Sequence, residues 1–192
     1  MTRWQPDARE RLERAALQLF TEQGFAATTV PEIAARAGLT TRTFFRYFAD
    51  KREVLFAGNE MPEYATRLMA DAPPGLDPLT QILHGLRVVA QSRFDGRKEE
   101  MRQWRAIIAT DEGLQERDLH KRSALAAAVR DGLLLRGLAP TAAAVLGDTC
   151  VTLLHVALDE WLAHDDDRML FEIVLSTLDS LRASLVVAPA ND

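Results

Sequence analysis

Residues 28–55 read TTVPEIAARAGLTTRTFFRYFADKREVL, and this stretch decides the fold. Thr29 and Glu32 predict the start of a short helix, because Thr-x-x-Glu forms a capping box and the proline between them is tolerated in a first turn. That helix ends at Gly38, and Thr40 is placed to cap a second helix. Two short helices joined by a turn of three or four residues are typical of a helix-turn-helix.

The two short helices divide into an apolar side and a polar side. The apolar side holds small alanines that let the helices approach closely and two phenylalanines that anchor the second helix: Ile33, Ala34, Ala37, Leu39, Phe44 and Phe48. The remaining positions suit DNA, because Arg can contact guanine bidentately, while Thr methyls and Phe can contact thymine methyls. We therefore predict DNA contacts from Thr29, Thr40, Thr41, Arg42, Thr43, Phe45, Arg46, Tyr47 and Lys51.

Phosphate contacts and base contacts have different candidates within this set. Thr29 and Thr40 cap helix N-termini, where free N–H groups and the helix dipole favour a phosphate. Tyr47 and Lys51 are placed to hold the DNA backbone. Phe45 either contacts DNA or covers the core. A second open choice concerns Arg3, Arg9 and Arg11, which form either a phosphate-binding arm or a solvated helix start.

The types and spacing of these residues resemble the sequence pattern of the TetR family of bacterial transcriptional regulators. The match covers roughly residues 8–57 and rests on Leu19-Phe20, Gly24-Phe25, Thr29, Ile33-Ala34, Ala37-Gly38, Thr40, Thr43, Phe44-Phe45, Phe48, Lys51 and Val54-Leu55. The chain departs mildly from the family pattern at Leu39 and Thr40, where Val and Ser are usual. Phe45 replaces a common Tyr and Tyr47 a frequent His, and Phe45 cannot donate the hydrogen bond that the family often gives to a phosphate. The resemblance implies an all-helical homodimer, usually a repressor, that a small molecule releases from DNA.

The rest of the chain has helical periodicity and almost no strand alternation. We predict a first helix over about 7–23, a loop at 71–75, and longer helices at roughly 78–93, 98–110, 114–136, 141–163 and 168–186. The expected fold is all-α with about nine helices. It comprises a DNA-binding domain over 1–56, with three helices and a helix-turn-helix, and a ligand-binding and dimerisation domain over 57–192.

Charge is distributed unevenly along the chain. Residues 1–56 hold nine Lys and Arg against seven Asp and Glu, whereas the remainder holds 14 against 21. Residues 1–56 thus form a basic head, and the remaining residues form an acidic body. Only the head is expected to approach a polyanion such as DNA. The start of the chain lacks the apolar run of a signal peptide, and Cys150 has no cysteine partner, so a reducing, cytoplasmic compartment is expected. The run Ala142–Leu158 is interrupted by Asp148 and His155, and no membrane span is expected.

The body offers weaker signals of a ligand site. The candidates are the residues that a pocket for an apolar or acyl-CoA-like effector would use: Trp104, Arg105, Ile108, Val151, His155 and Trp161. Each has an alternative role in packing, and Cys150 is either an inert buried thiol or a redox sensor. The histidines lack metal-ligand spacing, and no catalytic motif is present, so neither a metal, a cofactor nor an enzyme is expected.

The last two predicted helices indicate that the chain assembles with a second copy of itself. The first of them is apolar on nearly all sides, which is typical of a helix buried on all sides. One chain of this length can cover that helix but not both, so a second copy is expected to complete a four-helix bundle. A homodimer would match the two-fold symmetry of a palindromic operator. The alternative that remains open is a protein-binding adaptor that uses the helix-turn-helix as a docking face.

Overall fold

The computed structural model describes residues 8–56 and 61–185, and their regular elements are all helical. This confirms the all-α prediction. The described residues form ten α-helices: α1 (Ala8–Gln23), α2 (Val30–Arg36), α3 (Thr41–Tyr47), α4 (Lys51–Phe56), α5 (Met61–Asp71), α6 (Pro78–Val89), α7 (Lys98–Ala109), α8 (Glu112–Leu135), α9 (Pro140–Ala163) and α10 (Leu170–Leu185). One π-helical turn, Ala90–Phe94, continues α6.

Local capping interactions account for several of these bounds. The amide of Thr29 donates to the Glu32 carboxylate at 2.8 Å, and the Thr29 hydroxyl accepts from the Glu32 amide at 3.4 Å. This reciprocal pair is the predicted capping box of α2. The Thr40 hydroxyl accepts from the Thr43 amide at 3.1 Å and caps α3. Asp77 caps α6 in the same manner, and Pro78 occupies its first position.

Helix α5 is the element that the prediction of about nine helices did not resolve. Its second residue is Pro62, which obscured the helical pattern in the sequence. Proline is tolerated in the first turn, because the amides there have no partner within the helix. The other helices for which bounds were predicted begin and end within about two residues of them, except that α6 ends at Val89 and the π-helical turn continues it to Phe94.

The first compact unit contains residues 8–56 together with Arg102–His120. Its core is built around side chains that are fully or almost fully buried, namely Leu12, Ala16, Ile33, Phe44, Val54 and Leu114. Trp104 and Ile108 pack against this core, and Arg117 forms an ion pair with Glu53 of α4. The predicted boundary after residue 56 therefore does not describe this unit fully, because part of α7 and α8 completes its core.

The second compact unit contains residues 61–101 and 121–185. Its core is formed by the apolar faces of α5, α6, α8, α9 and α10, with Leu133, Ala143, Ala157, Leu170, Ile173 and Val174 almost fully buried. Helices α9 and α10 pack closely along their lengths. Residues of α8 belong to both units.

Helix α9 is the most apolar element of the described chain. Among the described residues it is the one helix long and apolar enough to cross a membrane, with a mean hydropathy of 1.6 over its best window. In the structure 44% of that window is buried, and a core helix of a soluble protein can have the same length and composition. Contrary to the expectation of burial on all sides, Val145 is 59% exposed and Val156 is 49% exposed.

Gly147 permits the close contact of α9 with α8. A Cβ atom placed there would lie 2.8 Å from the backbone carbonyl oxygen of Ala126, and a main-chain atom cannot move aside cheaply. We expect Gly147→Ala to lower the free energy of unfolding by about 1–3 kcal/mol, measured by urea denaturation. The matched control is Gly85→Ala, where a Cβ atom would have no neighbour within 4 Å. This control should raise stability by about 0.5–1 kcal/mol through helix propensity, and equal behaviour of the two variants would contradict the packing argument.

Candidate DNA-binding face and ligand cavity

Hydrogen bonds to α2 and from α1 fix the turn between α2 and α3. Gly38 has a φ of +66°, a conformation that favours glycine, and the Leu39 amide donates to the Ala34 carbonyl at 2.8 Å. The Arg11 guanidinium donates to the carbonyl of Ala37 and, at 3.4 Å, to that of Gly38. Arg11 is therefore a structural residue of the turn. It holds α3 in a set orientation relative to α1 and α2.

Helix α3 is anchored by one face and exposed on the other. Phe44 and Phe48 are buried, with ring centroids 5.4 Å apart. The opposite face is open to solvent and carries four of the predicted DNA contacts, Thr41, Arg42, Phe45 and Arg46. Tyr47 and Thr43 are half-buried at its edges. The structure thus brings six of the nine predicted residues together on one helix, with Thr40 as its cap.

The two arginines of α3 differ in what they contact. The Arg46 guanidinium donates to the Tyr47 hydroxyl at 3.0 Å and lies 4.9 Å from the centroid of that ring. Within the described residues, Arg42 has neither a hydrogen-bond partner nor an ion-pair partner. Its five donors are free for a guanine or a phosphate. Arg42 is consequently the stronger candidate for base recognition.

Lys51, which is predicted to hold the DNA backbone, has several partners within the protein. Its ammonium donates to the carbonyls of Phe25, Ala26 and Thr28 at 2.7, 3.2 and 2.9 Å, and it lies 4.4 Å from the centroid of the Phe25 ring. An ammonium has three donors, so all of them are used within the protein. Burial lowers the pKa of Lys51, with the charge of Asp111 opposing that shift. Lys51 ties α4 to the segment after α1, and we infer that this structural role competes with the predicted phosphate contact.

Thr29 also has partners within the protein. Its amide and its hydroxyl both donate to the Glu32 carboxylate, at 2.8 and 2.7 Å. The hydrogen bonds from Thr29 lower the pKa of Glu32 and keep this carboxylate charged. Thr29 thus serves as the predicted helix cap, and a negative charge at that place disfavours the predicted phosphate contact.

The arginines near the start of the chain have separate roles. Arg9 forms an ion pair with Glu13 at 3.1 Å and lies 6.0 Å from the centroid of the Phe48 ring. Arg11 binds the turn, as described above. Arg3 lies outside the described residues. The phosphate-binding arm therefore receives no support from Arg9 or Arg11.

Three of the predicted ligand residues belong to the first unit. Trp104 and Ile108 pack on its core, and the Arg105 guanidinium lies 3.7 Å from the Asp118 carboxylate. This part of α7 packs in the first unit because its apolar face completes the helix-turn-helix core. Trp104, Arg105 and Ile108 line neither of the two cavities described below, and their contact with a ligand stays a prediction.

The other three predicted ligand residues lie in the second unit. Trp161 is buried, and its indole N–H donates to the Arg168 carbonyl at 3.0 Å, so it is a packing residue. His155 Nδ1 lies 2.8 Å from the Val151 carbonyl oxygen, and the imidazole borders an open groove on α8 and α9. Val151 lines both that groove and an apolar cavity.

The apolar cavity lies between α5, α6, α8 and α9. Its volume is about 40 Å³ when measured as room for the centres of water molecules, enough for about three waters. Apart from one thiol the lining is apolar: Met61, Ala65, Leu68, Met69, Ile82, Gly85, Leu86, Val89, Leu125, Val129, Cys150, Val151 and Leu154. Most of these residues are absent from the predicted ligand residues, because that prediction favoured aromatic and ionisable side chains. The signal that identifies them is the apolar i, i+4 spacing on four separate helices.

Cys150 lines this cavity and is buried. Burial raises the pKa of its thiol to about 12. At pH 8 the reactive thiolate is then roughly a thousand times scarcer than in an exposed cysteine. We expect iodoacetamide to alkylate native Cys150 about a thousandfold more slowly than the urea-unfolded chain, as measured by mass spectrometry. Because the folded pKa is raised, the rate should still be climbing at pH 10. Rapid labelling at pH 8 would instead revive the redox-sensor alternative.

Within residues 8–56 and 61–185, no three His, Cys, Asp or Glu side chains are grouped closely enough to hold a metal ion.

The N-terminal residues match the model of a known protein family. Residues 13–57 match the model described as bacterial regulatory proteins, tetR family. The HTH-type transcriptional regulator TcmR of Streptomyces glaucescens is 37% identical over 92 residues, which are 47% of this chain and 41% of that protein. The regulator BetI of Stenotrophomonas maltophilia is 38% identical over 96 residues, which are 47% of this chain and 46% of that protein. The chain thus spans less than half the length of these curated relatives.

Solved structures resemble the chain over nearly its whole length. FadR of Thermus thermophilus, a TetR-family transcriptional repressor solved in complex with lauroyl-CoA, is 27% identical with a TM-score of 0.55. The similarity covers 96% of this chain and 99% of that one. A complex of SmeT with triclosan is 24% identical with a TM-score of 0.56, covers 96% of each chain, and shows the likeness of fold alone.

Proposed function

We propose that this chain, whose residues 13–57 match the model of the tetR family of bacterial regulatory proteins, is a ligand-released repressor that binds a palindromic operator as a homodimer. The observation that carries this proposal is the exposed face of α3. Arg42, Arg46, Thr41 and Phe45 stand on a helix whose other face is locked by buried phenylalanines. Such a helix can enter the major groove and read base edges.

Electrostatics favours the same face for DNA. The head is basic by two charges, while the rest of the chain is acidic by seven. Repulsion between the acidic body and phosphate leaves α3 and its surroundings as the surface that approaches a duplex. We propose that Arg42 reads bases and that Thr40, Thr43 and Tyr47 position the DNA backbone. Arg46 acts together with Tyr47.

The homodimer proposal is supported by apolar side chains that the single chain leaves exposed. Val145 and Val156 are eleven residues apart on α9, close to three helical turns, so they share one face. Leu181 and Leu185 are exposed on α10, which packs against α9. Pairing these two helices with their symmetry mates would form a four-helix bundle, and the two-fold axis would match a palindrome.

Light scattering tests this assembly. The wild-type protein should have a mass of twice 21.4 kDa at micromolar concentration. Val156→Glu should shift it towards 21.4 kDa, because the interface would bury an unpaired charge. The matched control is Leu135→Glu, since Leu135 is 86% exposed on α8 and outside the proposed interface. A monomeric wild type, or equal behaviour of the two variants, would reject the dimer or its location.

For the effector we propose an apolar molecule, or the apolar chain of an acyl-CoA-like molecule, in the cavity of the second unit. The lining is apolar, and FadR of Thermus thermophilus was solved with lauroyl-CoA. The cavity holds about three waters, whereas ligand sites usually measure several hundred cubic ångströms. A longer ligand must therefore push α5, α6, α8 and α9 apart. Binding would favour an expanded state, and the ligand can release DNA only by its difference in affinity between the two states.

Gly85 provides a size series for testing this site. It lines the cavity, and a Cβ atom there would meet no neighbour within 4 Å. Gly85→Ala should keep the response to lauroyl-CoA and to dodecanol, whereas Gly85→Leu should fill the cavity and abolish it. Release of a fluorescent operator duplex is the measurement, with thermal stability recorded for each variant. Continued release from Gly85→Leu would place the ligand elsewhere, and no release of the wild type by either probe would remove this ligand class.

Two further functional classes predict different results. An enzyme would turn over a substrate in a broad activity screen. An adaptor that docks a protein on the helix-turn-helix would show no preference among duplexes. The proposed regulator acts in the cytoplasm, where its operator is found, and needs neither a cofactor nor a membrane.

A further inference from the structure

We propose that Phe45 is a specificity-determining residue whose ring reads the 5-methyl group of a thymine in each operator half-site. This inference rests on the proposed DNA-binding function and names a contact within it. In residues 8–56, Phe45 is the one large hydrophobic side chain that is more than a third exposed, at 55%. The core does not require it, because the adjacent Phe44 and Phe48 are already buried.

The ring of Phe45 is held in a defined position. It stands edge-on to the Phe44 ring, with centroids 5.4 Å apart and planes at 85°. Phe44 is fully buried and packs in the core of the first unit. The exposed part of the Phe45 ring is therefore presented to solvent by a rigid support. Such an arrangement suits an apolar contact better than a solvated side chain.

The neighbours of Phe45 on α3 define the shape of this contact. Thr41 is four residues earlier, so its side chain lies on the same face about 5–6 Å away between Cβ atoms. Thr41 and Phe45 together form a short apolar strip. Arg42 is three residues before Phe45 and equally near, and its guanidinium has no partner in the described residues.

The bases contacted by these side chains would lie close together. Successive base pairs are about 3.4 Å apart, so neighbours at 5–6 Å reach bases one or two steps apart. In the major groove the C5 methyl of thymine is the main apolar group, and Arg pairs best with guanine. The proposed half-site therefore contains a thymine within two steps of a guanine. A phenol at position 45 could donate to a phosphate, whereas the phenyl ring has no polar atom for that purpose.

Replacing thymine by uracil in the DNA tests this contact without altering the protein. Each thymine of the selected operator is replaced in turn by deoxyuridine, which removes one methyl group and keeps the base pair. At the contacted position the wild-type protein should lose about fourfold in affinity per half-site, and about 15-fold when both half-sites are changed. Uracil at thymines outside the half-sites is the matched control and should have no effect.

A double-mutant cycle with Phe45→Ala assigns the methyl contact to this ring. Phe45→Ala should bind the thymine and uracil duplexes equally, while Phe45→Tyr should retain the dependence on the methyl group. If uracil weakens wild type and Phe45→Ala alike, another residue reads the methyl and the inference fails. If no uracil substitution affects the wild type, the inference also fails, although sequence-specific binding stands. If the wild type selects no operator at all, the proposed function itself fails.

Discussion

Arg42→Ala is expected to weaken binding to the selected operator by about 30-fold or more. A bidentate Arg–guanine contact contributes about 1–3 kcal/mol of discrimination, and a symmetric dimer makes it twice. Arg42 is the arginine of α3 whose donors have no partner within the described chain, so its removal should leave the fold intact. Fluorescence anisotropy with the operator and with a scrambled duplex measures both affinity and specificity.

The ratio of the affinity for the operator to the affinity for the scrambled duplex distinguishes base contacts from general attraction between charges. Arg42→Ala should lose far more affinity for the operator than for the scrambled duplex. The matched control is Arg97→Ala, which removes a positive charge of the second unit that pairs with Glu100. This control should leave both affinities nearly unchanged. Equal losses on both duplexes would make Arg42 a phosphate contact, and no loss on either would support the adaptor alternative.

Lys51→Ala is expected to lower the stability of the first unit by about 2–4 kcal/mol. The ammonium donates to three carbonyls of the segment after α1. A hydrogen bond of a charged group contributes about 1.5–3 kcal/mol net, and the three bonds of one ammonium are not additive. The lost contact with the Phe25 ring adds to this effect. Urea denaturation followed by circular dichroism measures the change in the free energy of unfolding.

A neighbouring cation provides the control for Lys51. Arg52 is exposed on α4, and Arg52→Ala should change stability by no more than about 0.5 kcal/mol. At a temperature where Lys51→Ala is folded, the slope of log affinity against log salt should equal that of the wild type, since no phosphate contact is lost. A normal stability with a shallower salt slope would restore Lys51 to the DNA interface and refute its structural role.

Much of the fold could be predicted because its signals are local. The capping box of Thr29 and Glu32, the cap at Thr40 and the positive φ of Gly38 depend on residues close in sequence. Such signals place helix bounds without knowledge of tertiary contacts. Helix α5 was unresolved because proline has two meanings, a helix break or a first turn, and only the folded chain distinguishes them.

The parts of the site that sequence alone did not predict depend on distant contacts. Lys51 is suited to phosphate by chemistry, but its acceptors are 23–26 residues earlier in the chain. Trp104 and Ile108 belong to the core of the first unit because α7 packs there, which no periodicity within α7 indicates. The cavity draws its lining from four helices, and each contributes an ordinary apolar stripe.

Selection of duplexes from a random pool by the purified protein, at low and then moderate salt, tests the central claim most directly. We predict recovery of a palindrome whose half-site centres are about 34–36 Å apart, one turn of the duplex, because two α3 helices of a dimer would enter successive major grooves. Binding to this sequence should persist at moderate salt. Weak binding without sequence preference that vanishes at moderate salt would contradict the account and reduce the basic head to a general phosphate binder.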